Sequence, residues 1–176
     1  MADTPVQDPT RRDFLYLATG AMAAVGTAAV LIPFVAQMNP DASVQALATT
    51  EVDLSAVQAG QSITVLWRGK PVFVRHRTPQ EIAAAVKDDN SGGLKDPAKD
   101  ADRHLAGKPE WMVLVGTCTH LGCVPTFGGG DFGGWLCPCH YSHYDTSGRI
   151  RKGPAPKNLA VPEGLALVSA NTIKIG

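Results

Sequence analysis

The pattern of apolar and polar positions changes character once along the chain. From Phe14 to Ala36, FLYLATGAMAAVGTAAVLIPFVA, no residue is charged. A helix of about 20 apolar residues crosses the ~30 Å hydrocarbon core of a bilayer, whereas a core helix of a globular domain is shorter and amphipathic. The stretch predicts one transmembrane helix, with the anchor at 14–38. Gly20, Gly26 and the alanines let neighbouring membrane helices approach closely, and Pro33 is tolerated near the end of such a span. Residues 39–50, NPDASVQALATT, are small, polar and without period, and read as a flexible hinge or tether.

From Glu51 onward the apolar runs are short, as strands require. SITVLW (62–67), a turn at RGK and PVFVRH (71–76) predict a hairpin. TPQE (78–81) offers Thr78 as N-cap, Pro79 at the first helical position and Glu81 at the third, so a short helix should run to about Lys87. Residues 88–109 are charged, glycine-bearing and without apolar period, and read as a surface excursion. WMVLVGT (111–117) reads as a buried strand and GRIR (148–151) as a further short one. LALVSANTIKIG (165–176) predicts a closing hairpin around Ala170 and Asn171. An all-β head over 51–176 on a single N-terminal transmembrane helix is the expected fold class.

Charge narrows the partners. Sixteen Lys and Arg balance sixteen Asp and Glu, which removes the general case for nucleic acid. Eighteen glycines and thirteen prolines suit a loop-rich β fold. TRRDFL (10–15), with Arg11 and Arg12 ahead of Phe14 and Leu15, resembles a twin-arginine export signal, a route that carries proteins already folded. The flanking positive charge places residues 1–13 in the cytoplasm and the head outside it. ALA at 46–48 looks like a cleavage site but lies well beyond the apolar stretch, so the anchor is expected to stay uncleaved.

All four cysteines and three of the five histidines fall in two boxes, CTHLGC (118–123) and CPCHYSHY (137–144). Each box can offer one thiolate and one imidazole to a shared centre. Two sulfurs and two nitrogens suit structural zinc, or a [2Fe-2S] cluster with two histidines on one iron. Zinc sites usually carry CxxC knuckles, which are absent here, so the spacing favours iron and sulfide. One cysteine per box is then left over. Either the two pair as a disulfide, as thiols do outside the cytoplasm, or four thiolates share one metal and leave the histidines without a role.

These boxes resemble the two cluster-binding boxes of Rieske iron–sulfur proteins, and GPAP (153–156) resembles that family's proline loop. Anchor, tether, head and boxes together are similar to the Rieske subunit of bacterial cytochrome bc complexes. The resemblance implies an antiparallel β-sandwich with a small cluster-binding subdomain at about 117–157. It implies that Cys118 and Cys137 bind the inner iron and that His120 and His140 bind the outer iron at the tip. Cys123 and Cys139 would form a disulfide. Ser142 would donate a hydrogen bond to a bridging sulfide, and Tyr144 one to the Cys118 sulfur. The cofactor would be a Rieske [2Fe-2S] cluster. Leu121 and Pro154 would rim a quinone, as would Val124.

By the same resemblance, the chain would transfer electrons within a proton-translocating quinol–cytochrome c oxidoreductase of the respiratory chain and catalyse nothing alone. His140, with His120, would meet the quinol, and the head would swing to a haem of a cytochrome c-type subunit. A cytochrome b-type subunit, a dimeric complex and the inner membrane, with the head in the periplasm, complete that expectation. Rival readings are a Rieske subunit of another oxidoreductase such as arsenite oxidase, a soluble ferredoxin for ring-hydroxylating dioxygenases, and a zinc-stapled binding module. One position departs from the family pattern: Tyr141 stands where glycine is usual. His76 and His104 read as solvated, and His143 as a non-ligand. GGGDFGG (128–134) reads as a tight connection whose glycines let backbone N–H groups approach sulfur.

Overall fold

A computed structural model describes residues 10–41 and 48–176. The chain divides into two compact units, Met1–Gln45 and Ala46–Gly176. In the first, helix α1 spans Arg11–Ala36. It begins three residues before the apolar stretch because Thr10 is a strong cap. Its hydroxyl accepts the Asp13 N–H, and the Asp13 carboxylate accepts the Thr10 N–H at 2.8 Å. No residue of α1 is buried, and its length and composition suit a membrane crossing. Half of the expected tether, residues 42–47, lies outside the described residues.

The second unit is built from antiparallel strands β1 (Thr50–Asp53), β2 (Ser62–Trp67), β3 (Lys70–His76), β4 (Trp111–Val115), β5 (Thr126–Phe127), β6 (Gly133–Cys137), β7 (Ser142–Asp145), β8 (Ile150–Lys152), β9 (Ala166–Ser169) and β10 (Thr172–Ile175). One short helix, α2, spans Pro79–Asp88. The strands form three sheets, ordered β1-β10-β9, β2-β3-β4 and β5-β6-β7-β8. The β2–β3 hairpin closes through Arg68 and Gly69, both at positive φ (50° and 73°), the two-residue turn whose twist matches its strands. Helix α2 carries the capping box that its sequence promises, Thr78 with Glu81.

The sheet β2-β3-β4 is shared between two cores. Strand side chains alternate between faces, so a strand buried on both sides must be apolar throughout, and all five residues of β4 are buried. Val72, Val74, Trp111, Val113 and Val115 point to one core, with Val52, Ile173 and Ile175 of the β1-β10-β9 sheet and Leu54 just after β1. This is the sandwich. Phe73, Met112 and Leu114 point to the other, with Trp135, Tyr144, Ile150 and Leu159. That second core carries the boxes on a four-stranded sheet of its own.

Residues 88–109 correct the expectation of a surface excursion. Asp89, Asp96, Asp100 and Arg103 all bond back to the cluster end. Arg149 donates to Asp89 at 2.5 Å and to the Ala98 carbonyl at 3.1 Å. Asp96 accepts the Asn158 N–H at 2.9 Å, and Arg103 donates to the Ser147 carbonyl at 2.7 Å. Asp100 is buried against Arg77 at 2.6 Å. A loop with little regular structure leaves backbone and charged groups to satisfy, and these side chains satisfy them. His76 is not solvated either. It stacks on Trp111 at 4.2 Å and its Nδ1 bonds the Val57 carbonyl at 2.8 Å. His104 is half-buried and bonds the Leu105 carbonyl.

Candidate metal centre

The first box follows β4 directly, and the second joins β6 to β7. Each box is a tight loop closed by its own backbone. In the first, Gly122 N–H donates to the Cys118 carbonyl at 2.9 Å and Cys118 N–H to the Cys123 carbonyl at 2.8 Å. In the second, Tyr141 N–H donates to the Cys137 carbonyl at 3.0 Å. Cys118 and Cys137 are each 2% exposed. His120 is half-buried and His140 exposed. Their rings meet edge to face, with centroids 4.7 Å apart.

The donors around the sulfurs suit anionic thiolates. Burial alone would raise the Cys118 thiol, but hydrogen bonds from the Tyr144 hydroxyl and the His120 backbone N–H outweigh it and pull it below the ordinary value. Tyr144 Oη lies 3.2 Å from Cys118 Sγ and is fully buried. Burial, and then the hydrogen bond to that sulfur, hold its own phenol protonated well above the usual range. Burial and the neighbouring Cys118 raise Cys137, while the N–H groups of Cys139 and His140 act in the opposite direction. Two buried thiols with aimed donors, beneath two outward imidazoles, fit a cluster with one thiolate-bound and one imidazole-bound iron.

Cys123 and Cys139 are joined as a disulfide, with Cα atoms 6.6 Å apart. It ties one box to the other. Cys137 Sγ lies close to both disulfide sulfurs, within 4.8 Å, yet paired sulfurs carry no thiolate and are poor ligands. Ser142 is fully buried, and its hydroxyl accepts the Ala155 N–H at 3.2 Å. The GPAP loop therefore lies on the second box. Gly153 makes this possible: a Cβ there would come within 2.4 Å of the Tyr141 carbonyl oxygen. Leu121, Val124 and Pro154 are exposed.

His143 is buried, its Nδ1 accepting the Asp131 N–H at 3.2 Å. The glycines before β6 serve packing: Gly129 abuts Leu136, Gly130 abuts His143, and Gly134 lies against the backbone of Tyr144 and Asp145. Sequence reasoning missed Thr119, whose hydroxyl donates to the Lys157 carbonyl at 2.6 Å and so binds the first box to the end of the proline loop. It also missed Lys95, whose Nζ donates to the Gly153 carbonyl at 2.5 Å. Neither residue sits in a pattern that names a partner.

Comparison with known proteins agrees with this geometry. Residues 43–163 match the family described as "Rieske [2Fe-2S] domain". The chain belongs to the Rieske iron–sulfur family. Residues 1–41 match a second family, "Ubiquitinol-cytochrome C reductase Fe-S subunit TAT signal". The chain is 52% identical to the ubiquinol-cytochrome c reductase iron-sulfur subunit of Blastochloris viridis, over 100% of this chain and 98% of that one. It is 53% identical to the subunit of that name from Rhodospirillum rubrum, over 99% and 96%. Among solved structures it resembles a chain of a hyperthermophilic respiratory Complex III, at 28% identity and a TM-score of 0.53, covering 90% of this chain and 98% of that one. The Rieske cofactor is a [2Fe-2S] cluster, which sets aside the zinc reading. The export signal and apolar helix make the chain a membrane-anchored protein with an exported head.

Proposed function

We propose that this chain is the electron-transfer subunit of a ubiquinol–cytochrome c oxidoreductase, held in the inner membrane by α1 with its head in the periplasm. The observation that carries the reading is the layered ligand set: buried Cys118 and Cys137 under outward His120 and His140. When bound, the [2Fe-2S] cluster supplies a one-electron acceptor and donor. Cys118 and Cys137 hold its inner side, where burial keeps water from the sulfurs. Tyr144 and Ser142 donate toward sulfur, which favours the more negative state and raises the potential. The disulfide and the proline loop keep both boxes in one geometry.

His140 is the exposed ligand and meets the quinol. The ring nitrogen facing away from the metal accepts a hydrogen bond from the quinol hydroxyl and takes its proton. Leu121, Val124 and Pro154 give that contact an apolar rim. The residues between α1 and the head act as a tether, so one tip serves a cytochrome b-type subunit and then a cytochrome c-type subunit in a dimeric complex. The uncleaved helix keeps the head at the membrane throughout. Purification from detergent-solubilised membranes tests this. The chain should co-purify with b- and c-type haem and the complex should reduce cytochrome c with quinol. His140→Ala should abolish turnover and leave haem content unchanged. Co-purification with a molybdenum protein instead would overturn the assignment.

A further inference from the structure

Tyr141 stands out at the tip. Its φ is +54°, in the left-handed region that glycine adopts freely and that strains an L-residue. The conformation is imposed by its surroundings. Its N–H closes the second box onto the Cys137 carbonyl, and its carbonyl lies under Gly153. Such strain is ordinarily offset by packing of the side chain, but this ring is 68% exposed. Among the described residues no hydrogen bond or ring contact is recorded for it. A large aromatic held in a strained conformation, and left in solvent beside the outermost ligand, gains nothing for the isolated head.

We infer that Tyr141 is a docking residue whose ring packs against the cytochrome b-type partner when His140 reaches the quinol. This rests on the function proposed above. The adjacency carries it, since any surface that lets a quinol touch the imidazole of His140 must also cover the next residue, and a site for an apolar quinol is lined by apolar groups that an exposed aromatic ring matches. Leu121, next to the other ligand imidazole of His120, is a second exposed apolar side chain, at 71%. The ring therefore favours the head's quinol-side position. It acts on the docking equilibrium, and the ligands, the thiolate donors and the potential do not depend on it. Aromatic rings suit this role because they supply large contact area for few rotatable bonds.

The test is steady-state turnover of the intact complex carrying Tyr141→Gly, Tyr141→Ala or Tyr141→Phe, with the reduced-cluster EPR signal and midpoint potential measured on each. Glycine relieves the backbone strain, so that variant folds at least as well as the parent. Alanine keeps the strain and loses the ring. The expected result is an apparent quinol KM raised about fivefold in both Gly and Ala variants, as loss of one aromatic contact gives. Tyr141→Phe should stay near the parent, and the potential should not move in any of them. An unchanged KM in Tyr141→Gly with a parent complex that turns over would overturn the inference alone. A raised KM for cytochrome c in place of quinol would overturn the choice of partner. A parent complex that binds its cluster but does not oxidise quinol would overturn the function as well.

Discussion

The two faces of the β2-β3-β4 sheet support opposite kinds of structure. On one face Val72, Val74, Val113 and Val115 meet the β1-β10-β9 sheet in an apolar core. On the other, beyond Phe73, Met112 and Leu114, the chain buries Arg77, Asp100, Arg103, Asp145, Arg149 and Asn158. The reason lies in the local backbone. The sandwich pairs its main chain in ladders, while the cluster end is loops joined by strands as short as Thr126–Phe127 and Ile150–Lys152. Loop N–H and C=O groups need side-chain partners, and Arg and Asp supply several each. The sandwich needs to be stable. The cluster end must in addition hold two boxes, a disulfide and a proline loop in one arrangement, and a fully satisfied polar network specifies one arrangement.

The strongest way to break that contrast is Arg149→Leu. Arg149 donates to Asp145 at 2.8 Å, to Asp89 at 2.5 Å and to the carbonyls of Ala85 and Ala98. Without it Asp145, 1% exposed, stays buried with Arg151 at 3.5 Å as its one remaining cationic partner, beside the N–H groups of Ser147 and residue 149. Removing one partner of a buried pair costs about 3–5 kcal/mol, so urea unfolding in detergent should show the cluster lost well before the strand signal.

Acid should act on the same side of the sheet. Burial would raise the Asp100 carboxyl, but hydrogen bonds from Arg77 and Ser147, with the Arg77 charge, outweigh it and hold the carboxyl below its ordinary value. A carboxyl lowered by folding stabilises the fold in full above its unfolded value, near pH 4, and that contribution is lost as pH falls through the lower folded value. Midpoints of unfolding should therefore be flat from neutral pH to about pH 5 and fall below about pH 4, with a shallower fall in Asp100→Asn.

A smaller effect reads the site rather than the fold. Tyr144→Phe removes the donor 3.2 Å from Cys118 Sγ and keeps the ring in the core. Cluster content should be unchanged and the midpoint potential lower by about 50 mV, the equivalent of one modest hydrogen bond favouring the reduced state. On the sandwich side, Leu66→Ser should change stability by less than about 0.5 kcal/mol, because Leu66 is an exposed strand residue outside the core. A large loss there would mean that the sandwich, too, depends on surface contacts.

Legibility in the sequence followed the same divide. The Thr78 capping box, the Arg68–Gly69 turn, the all-buried β4 and the closing hairpin are local signals, and local residues decide them. The ligand candidates were legible because two boxes concentrate cysteine and histidine. What escaped was long-range. The pairing of Asp100 with Arg77 or of Asp96 with Asn158 spans many residues, and a charged stretch such as 88–109 looks the same whether it faces water or buried arginines. His76 was misread for a related reason, since its partner Trp111 is opposite it across the β3–β4 ladder. The exposed ring of Tyr141 and its positive φ required coordinates.

The ligand set proposed for the cluster is two thiolates and two imidazoles rather than four thiolates. An EPR-monitored redox titration of the full-length protein in detergent tests it most directly. With that ligand set a [2Fe-2S] signal is expected on reduction, with a midpoint between about −150 and +300 mV and toward the upper end, as histidine ligation and donors to sulfur require. A midpoint near −400 mV, the range of all-thiolate clusters, or no signal on reduction, would contradict it.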